Sequence, residues 1–318
     1  MRPAQKIGAF TAALATSFAV AYGIGDAVNP ISTETTAEMK TETAAKRPAA
    51  SSTPSAPGTA PGGLQVSERG YTLDLDTPRV RAGEESELRF VVRDGRGRPV
   101  TEYRREHGKE LHLIVASRDL TVYRHLHSAR GSDGVWRSTA DLPDPGAYRV
   151  FADFTPAAQQ DGLTLGADLA VTGDYAPGNL PAPSRTAEVD GYTVALAGGL
   201  KAGGESTLTF TVTRAGRPVT ALQPYLGAYG HLVALRSGDL AYLHVHPHDE
   251  VHGDAESGPE VAFSATAPSP GTYRLFLDFK IDDEVRTAAF TVRAGGDAPA
   301  ATEPAPEPTG HDEAPHGH

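Results

Sequence analysis

Leu208, Phe210 and Val212 alternate with polar neighbours, and Leu88, Phe90 and Val92 recur at the same spacing, with Val91 the one apolar residue between them. A period of two puts one face of each segment into a core and leaves the other in water, the mark of a β-strand. Polar turn clusters follow, RAGRP in the first case and DGRGRP in the second. Between residues 67 and 294 apolar segments are short, and no stretch of ten residues or more carries a convincing helical period. The pattern predicts an all-β protein. The segments PGAYRVFADF at Pro145 and PGTYRLFLDF at Pro270 place an aromatic-rich strand directly after a Pro-Gly turn. Immunoglobulin-like sandwiches commonly set a tyrosine at such a corner.

The paired segments belong to an internal repeat. GYTLDL at Gly70 answers GYTVAL at Gly191, RAGEESELRFVV at Arg81 answers KAGGESTLTFTV at Lys201, and GRPVT occurs at both Gly97 and Gly216. LHLIVASRDLTVYRHLH in the first half corresponds to GHLVALRSGDLAYLHVH in the second. A match over the full length of both halves predicts two homologous domains. We expect two tandem immunoglobulin-like antiparallel β-sandwich domains, 67–175 and 188–294, joined by the linker 176–187 with its PGNLPAP segment. About seven short strands per domain suit that architecture.

The ends of the chain have other compositions. Arg2 and Lys6 precede an uncharged apolar run from Ile7 to Gly25. Residues 1–25 are expected to form a hydrophobic helix serving as an export signal or membrane anchor. The run is close to the ~20 residues that cross a bilayer, so cleaved and anchored forms both fit. Residues 26–66 are rich in Pro, Ala, Thr and Ser with few large apolar side chains, which predicts a disordered linker; the His-containing tail 295–318 reads the same way. The expected location is extracytoplasmic, membrane-anchored or secreted.

Composition narrows the chemistry. The chain has 318 residues, enough for two cores, and 40 acidic against 29 basic side chains. No dense Lys/Arg patch is present to neutralise phosphates, so nucleic acid is not an expected partner. The absence of cysteine excludes disulfides, thiolate metal sites and a blue-copper centre.

The 12 histidines fall into three groups. His107, His112, His125 and His127 belong to the first repeat, His231, His244, His246, His248 and His252 to the second, and His311, His316 and His318 to the tail. His112, His125 and His127 recur 119 positions later as His231, His244 and His246. In HLH and HVH the two imidazoles share one face of a strand. Two-residue hairpin turns at Arg118-Asp119 and Ser237-Gly238 would set His112 opposite His125, Glu110 opposite His127 and His231 opposite His244. Each repeat would then carry a patch of three neutral imidazoles facing outward, a donor set suited to Cu(II) or Zn rather than Ca or Mg. The second repeat looks the richer site, with His248, Asp249, Glu250 and His252 beyond its triplet, against His107 and Glu110 in reserve in the first. Cross-strand histidines also occur simply as partly exposed aromatics packed beside tyrosine, and that reading stays open. For Asp153 and Asp278, in matching DF dipeptides, a strand-end or turn hydrogen bond is the expected role.

At HLVALRSGDLAYLHVHP and PGTYRLFLDF the chain resembles secreted or membrane-anchored bacterial proteins of tandem β-sandwich domains, uncharacterised or heavy-metal-associated. The resemblance covers both repeats, and it implies an extracytoplasmic sandwich with metal handling as an expected role. Arg124 and Ser128 depart from the pattern in the first repeat. Two functions follow as expectations. One is a divalent metal-binding protein, with Cu(II) or Zn as cargo, that buffers or delivers the ion. The other is a structural or adhesion module presenting its domains to a cell-surface protein partner. No nucleophile elbow, acid pair or helix-borne metal motif points to an enzyme.

Overall fold

The computed structural model describes residues 61–243, 245–248 and 257–295. The expected N-terminal helix, residues 26–60 of the linker, residues 296–318 of the tail and His244 lie outside the described residues. Among the described residues no helix is long and apolar enough to cross a membrane.

The protein folds as two immunoglobulin-like β-sandwiches in tandem, antiparallel except where Arg79–Arg81 joins Leu163–Thr172 in parallel. In the first, one sheet runs in the order Ser67–Glu68, Tyr71–Leu75, Glu85–Arg93, Trp136–Asp141, Ala129–Arg130. The facing sheet runs Arg79–Arg81, Leu163–Thr172, Gly146–Pro156, Leu111–Ser117, Tyr123–Leu126. The second repeats the plan with Thr186–Val189, Tyr192–Gly198, Glu205–Arg214, Glu260–Thr266, Val245–Pro247 against Tyr242–Leu243, His231–Arg236, Gly271–Ile281, Glu284–Ala294. The alternating triplets Leu88/Phe90/Val92 and Leu208/Phe210/Val212 are fully buried, each in the core of its own sandwich. Tyr148 and Tyr273 donate their hydroxyls to the carbonyls of Asp144 and Ser269, each 2.7 Å away and four residues upstream. Both repeats thus have the expected tyrosine corner.

A third apolar cluster belongs to neither sandwich alone. Ile114, Ala116, Leu120, Tyr123 and Phe151 of the first repeat pack with Val233, Leu235, Leu240, Tyr242 and Phe276 of the second. The strand Leu111–Ser117 is buried at every position, because its odd residues fill its own core while its even residues meet the other repeat. The packing is close to isologous. Tyr123 stacks on Phe276 with centroids 4.1 Å apart and planes 6° from parallel, and the corresponding Phe151 and Tyr242 lie 5.7 Å apart. Residues 62–65, expected to be unstructured, are instead a strap across this junction. The Gly62 carbonyl accepts from the Tyr242 amide at 2.9 Å, the Gly63 amide donates to Thr164, and the Arg149 guanidinium donates to the Gly63 and Leu64 carbonyls.

The hairpins differ from the two-residue turns expected. Ile114 pairs with His125, Ala116 with Tyr123, and Leu235 with Tyr242, a shift of two positions in both repeats. The cause lies in the turns. The Ser117 hydroxyl accepts from the Thr121 and Val122 amides, the Asp119 carboxylate accepts from the Thr121 amide, and Leu120 takes a left-handed conformation at φ 59°. In the second repeat Asp239 accepts from the Ala241 amide and Leu240 sits at φ 63°. Side chains that mimic a backbone turn lengthen each loop to four residues. An even shift keeps every side chain on its original face, so the histidines stay on one side of the sheet.

Candidate metal centre

His112, second residue of the strand Leu111–Ser117, and His125, third of Tyr123–Leu126, sit on the sheet face that meets the other repeat. His127 follows one residue past that strand. From the opposite sandwich come His231, which opens the strand His231–Arg236, and Asp278, its direct partner on Gly271–Ile281. The candidate ligand atoms of His112, His125 and His127 lie within 4.8 Å of one another, and so do those of His125, His231 and Asp278. His125 belongs to both sets. The His112 and His231 rings stack at 5.1 Å, and His125 and His231 lie 4.7 Å apart. His107 stands at the edge, 6.3 Å from His112 and 6.0 Å from His231.

Of the five expected ligands among the described residues, the structure therefore gathers four into one cluster drawn from both repeats, in place of an outward-facing triplet on the first. His112 is only 4% exposed, which corrects its expected outward position. His246 goes elsewhere. The chain crosses to the other sheet of the second sandwich, where His246 pairs with Ser264 on an exposed edge. In the first repeat the same crossing comes after Ser128, with Ala129–Arg130 joining the other sheet, so His127 is still near the cluster. His248 lies past the crossing too and contacts the Ser264 hydroxyl. Glu110, held in reserve by the sequence, is paired with Arg130 at 3.2 Å.

Hydrogen-bond partners constrain the tautomers. The Glu106 carbonyl lies 3.3 Å from His112 Nε2 and can only accept, so Nε2 carries the proton and Nδ1 a lone pair. An ionised Asp278, whose Oδ2 is 2.9 Å from His125 Nδ1, places the proton there and leaves Nε2 with a lone pair. With Asp278 ionised, His112 Nδ1 and His125 Nε2 both present lone pairs and face each other at 3.2 Å. A proton shared between them would make a buried imidazolium, and burial opposes that charge. It pushes His112 down to about 4, and it holds His125 and His231 well below the ordinary histidine value. A cation between them removes the conflict. Two bonds of ~2.05 Å meeting at a tetrahedral angle set their nitrogens about 3.3 Å apart. His231 Nδ1 is also buried with no hydrogen-bond partner, an orphan of the kind a ligand satisfies.

Asp278 supports the cluster from behind. Its Oδ2 accepts from His125 and from the Tyr123 hydroxyl at 3.2 Å, and its Oδ1 from Thr287 at 2.5 Å. Burial raises its carboxyl to about 7, against the lowering effect of Thr287 and Tyr123. A carboxylate bonded to the far nitrogen of a ligating imidazole orients the ring and increases its basicity. Its counterpart Asp153 takes an ordinary bond from the Thr164 hydroxyl, 2.8 Å away. The Tyr225 hydroxyl lies 3.4 Å from His127 Nε2. Sequence reasoning left Tyr225 out and favoured a structural bond for Asp278 over a place in the site. The available signal was LHLIVAS, apolar at Leu111, Leu113 and Val115 on one face and at Ile114 and Ala116 on the other, since a strand buried on both sides needs a cover.

Fold and cluster together define a tandem immunoglobulin-like protein with a buried imidazole group between its domains. The chain belongs to the family described as a domain of unknown function, DUF8832, which matches twice, over residues 65–170 and 187–296. Among curated proteins none matches. Solved structures similar to the chain include the Escherichia coli adhesin FdeC, at 16% identity and TM-score 0.24, covering 72% of this chain and 65% of that one. Invasin, a bacterial integrin-binding protein, gives 12% identity and TM-score 0.22, with 72% and 41% covered. Trypsin-activated alpha-2-macroglobulin from Escherichia coli gives 17% identity and TM-score 0.25, with 73% and 16% covered. The chain spans less than two thirds of each of these three.

Proposed function

We propose that this protein is an extracytoplasmic binder of a divalent ion, Cu(II) or Zn, which it buffers or delivers from a site between its two sandwiches. The observation that carries this reading is the convergence of buried imidazoles from both sandwiches: His112 Nδ1 and His125 Nε2 lie 3.2 Å apart, with His231 Nδ1 unpartnered beside them. An all-imidazole inner set favours ions of intermediate softness. The basic start and apolar run of residues 1–25 support export.

The test is a Zn and Cu(II) titration of the full chain with His311, His316 and His318 changed to alanine, so that the tail adds no ligands. One equivalent bound tightly, and lost on combining His112→Ala with His125→Ala, is the expected result. A chain that stays metal-free after dialysis against both ions sinks the reading. That outcome leaves the second reading, a structural or adhesive module. Its support is the apolar inter-repeat cluster, which makes two sandwiches one unit suited to presenting a surface.

A further inference from the structure

Both halves of the candidate centre sit on one continuous face. Along Leu111–Ser117 the residues meeting the other repeat are His112, Ile114 and Ala116; along His231–Arg236 they are His231, Val233 and Leu235. The imidazoles are the polar end of an otherwise apolar contact. His112, His125 and His127 come from one sandwich, while His231 and the carboxylate that orients His125 come from the other. Separating the sandwiches would strip His125 of its acceptor and the cluster of His231, yet leave three imidazoles together on the first repeat.

We infer that the ion is a clamp: docking of the two sandwiches and ion binding are one linked equilibrium, so apolar residues that never touch the ion set its affinity. This rests on the metal-binding reading above. The docked pair holds the ion in a closed set of protein ligands. The undocked pair holds it through three imidazoles with a coordination position open to a partner's ligand, which is the arrangement transfer requires. Linkage is reciprocal: ion binding favours docking by the factor by which docking favours ion binding, and affinity falls with the docked fraction once a variant makes the docked pair the minority.

Leu120 and Leu240 allow the test. Both lie in the inter-repeat cluster at the turns, away from the histidines, and neither contributes to the core of its own sandwich. Both sit at positive φ, which asparagine tolerates, so Leu120→Asn with Leu240→Asn loosens docking without straining the turns. Since the chain has no cysteine, spin labels on Glu85→Cys and Glu205→Cys, exposed positions on the two outer sheets, report the distance distribution between the domains. Zn is the probe, in the chain with the tail histidines removed. The expected result is a broader distribution in the double-asparagine protein, narrowed again by Zn, and a Zn affinity lower by at least about tenfold. Where that variant leaves the distribution unchanged, the more disruptive Leu235→Asp takes its place. Undiminished affinity in a protein whose distribution has broadened overturns the clamp and leaves the metal-binding reading intact. Failure of the parent chain to bind Zn or Cu(II) removes both.

Discussion

Replacing Asp278 with asparagine separates the fold from the chemistry, because the two should move in opposite directions. The carboxylate is 1% exposed and accepts from His125, Tyr123 and Thr287. Its folded value of about 7 against an ordinary 3.8 means that the native state holds its proton more tightly than the unfolded chain does. Its contribution to stability is then fully present below about 4 and lost as pH rises through 7. Three pH units correspond to about 4 kcal/mol against the ionised form at pH 8. Asparagine carries no such penalty. One amide oxygen can still accept from His125, and the Thr287 hydroxyl can turn to accept from the amide nitrogen. At pH 8 the metal-free variant should therefore be as stable as the parent or more so, by about 1–2 kcal/mol once imperfect amide geometry is allowed for.

Zn affinity should fall in the same variant. An outer-shell carboxylate lost from a ligating histidine costs about 10–100-fold. Alanine is the control, since it orphans three buried donors and should cost about 3 kcal/mol or more. Urea unfolding of the metal-free proteins and competition with a chromophoric chelator, both at pH 8, measure the two quantities. Unchanged Zn affinity in Asp278→Asn would refute the orienting role. A loss of more than about 2 kcal/mol of stability would refute the assignment of the ionised carboxylate as a net cost.

Other expectations concern separate parts of the structure. His231→Ala should lower Zn affinity at least about tenfold, whereas His246→Ala should leave the first equivalent bound as before, measured in the tail-free background. Gly63→Ala should destabilise the strap by about 2 kcal/mol, because a Cβ there meets the Phe151 ring at 2.5 Å and the backbone sits at φ 74°; a urea midpoint equal to the parent's would discount the strap. Metal-free protein should lose stability on acidification. His112, at about 4 when folded, takes up its proton more readily once unfolded, so its contribution is lost as pH falls from about 6.5 towards 4, by up to about 3 kcal/mol. His125, His127 and His231 act in the same sense and Asp278 in the opposite one, four groups against one. A urea midpoint no lower at pH 5 than at pH 7.5 would contradict the burial of the cluster.

What the sequence displayed and what it concealed follow from the range of the interactions involved. Strand faces depend on near neighbours, so the period of two at Leu88–Val92, the turn clusters and the tyrosines at 148 and 273 could be read directly. Register depends on turn chemistry, and there Ser117, Asp119 and Asp239 lengthened both loops through bonds to nearby amides. The error was harmless to the site only because it was even; a shift of one would have turned His125 and His127 away from His112. The centre itself is a long-range property. His112 and His231 are equivalent positions in the repeat, and an isologous contact brings equivalent positions together, so their stacking at 5.1 Å follows from how the two copies pack. That symmetry would by itself assemble two equal triplets about one axis. It fails where the second sandwich sends Val245–Pro247 to its other sheet before His246 can join, while the first crosses only after His127 and Ser128. Among the described residues, two copies of one histidine pattern thereby yield a lopsided centre, with three imidazoles from the first repeat, His231 from the second, and Asp278 rather than Asp153 supplying the buried carboxylate.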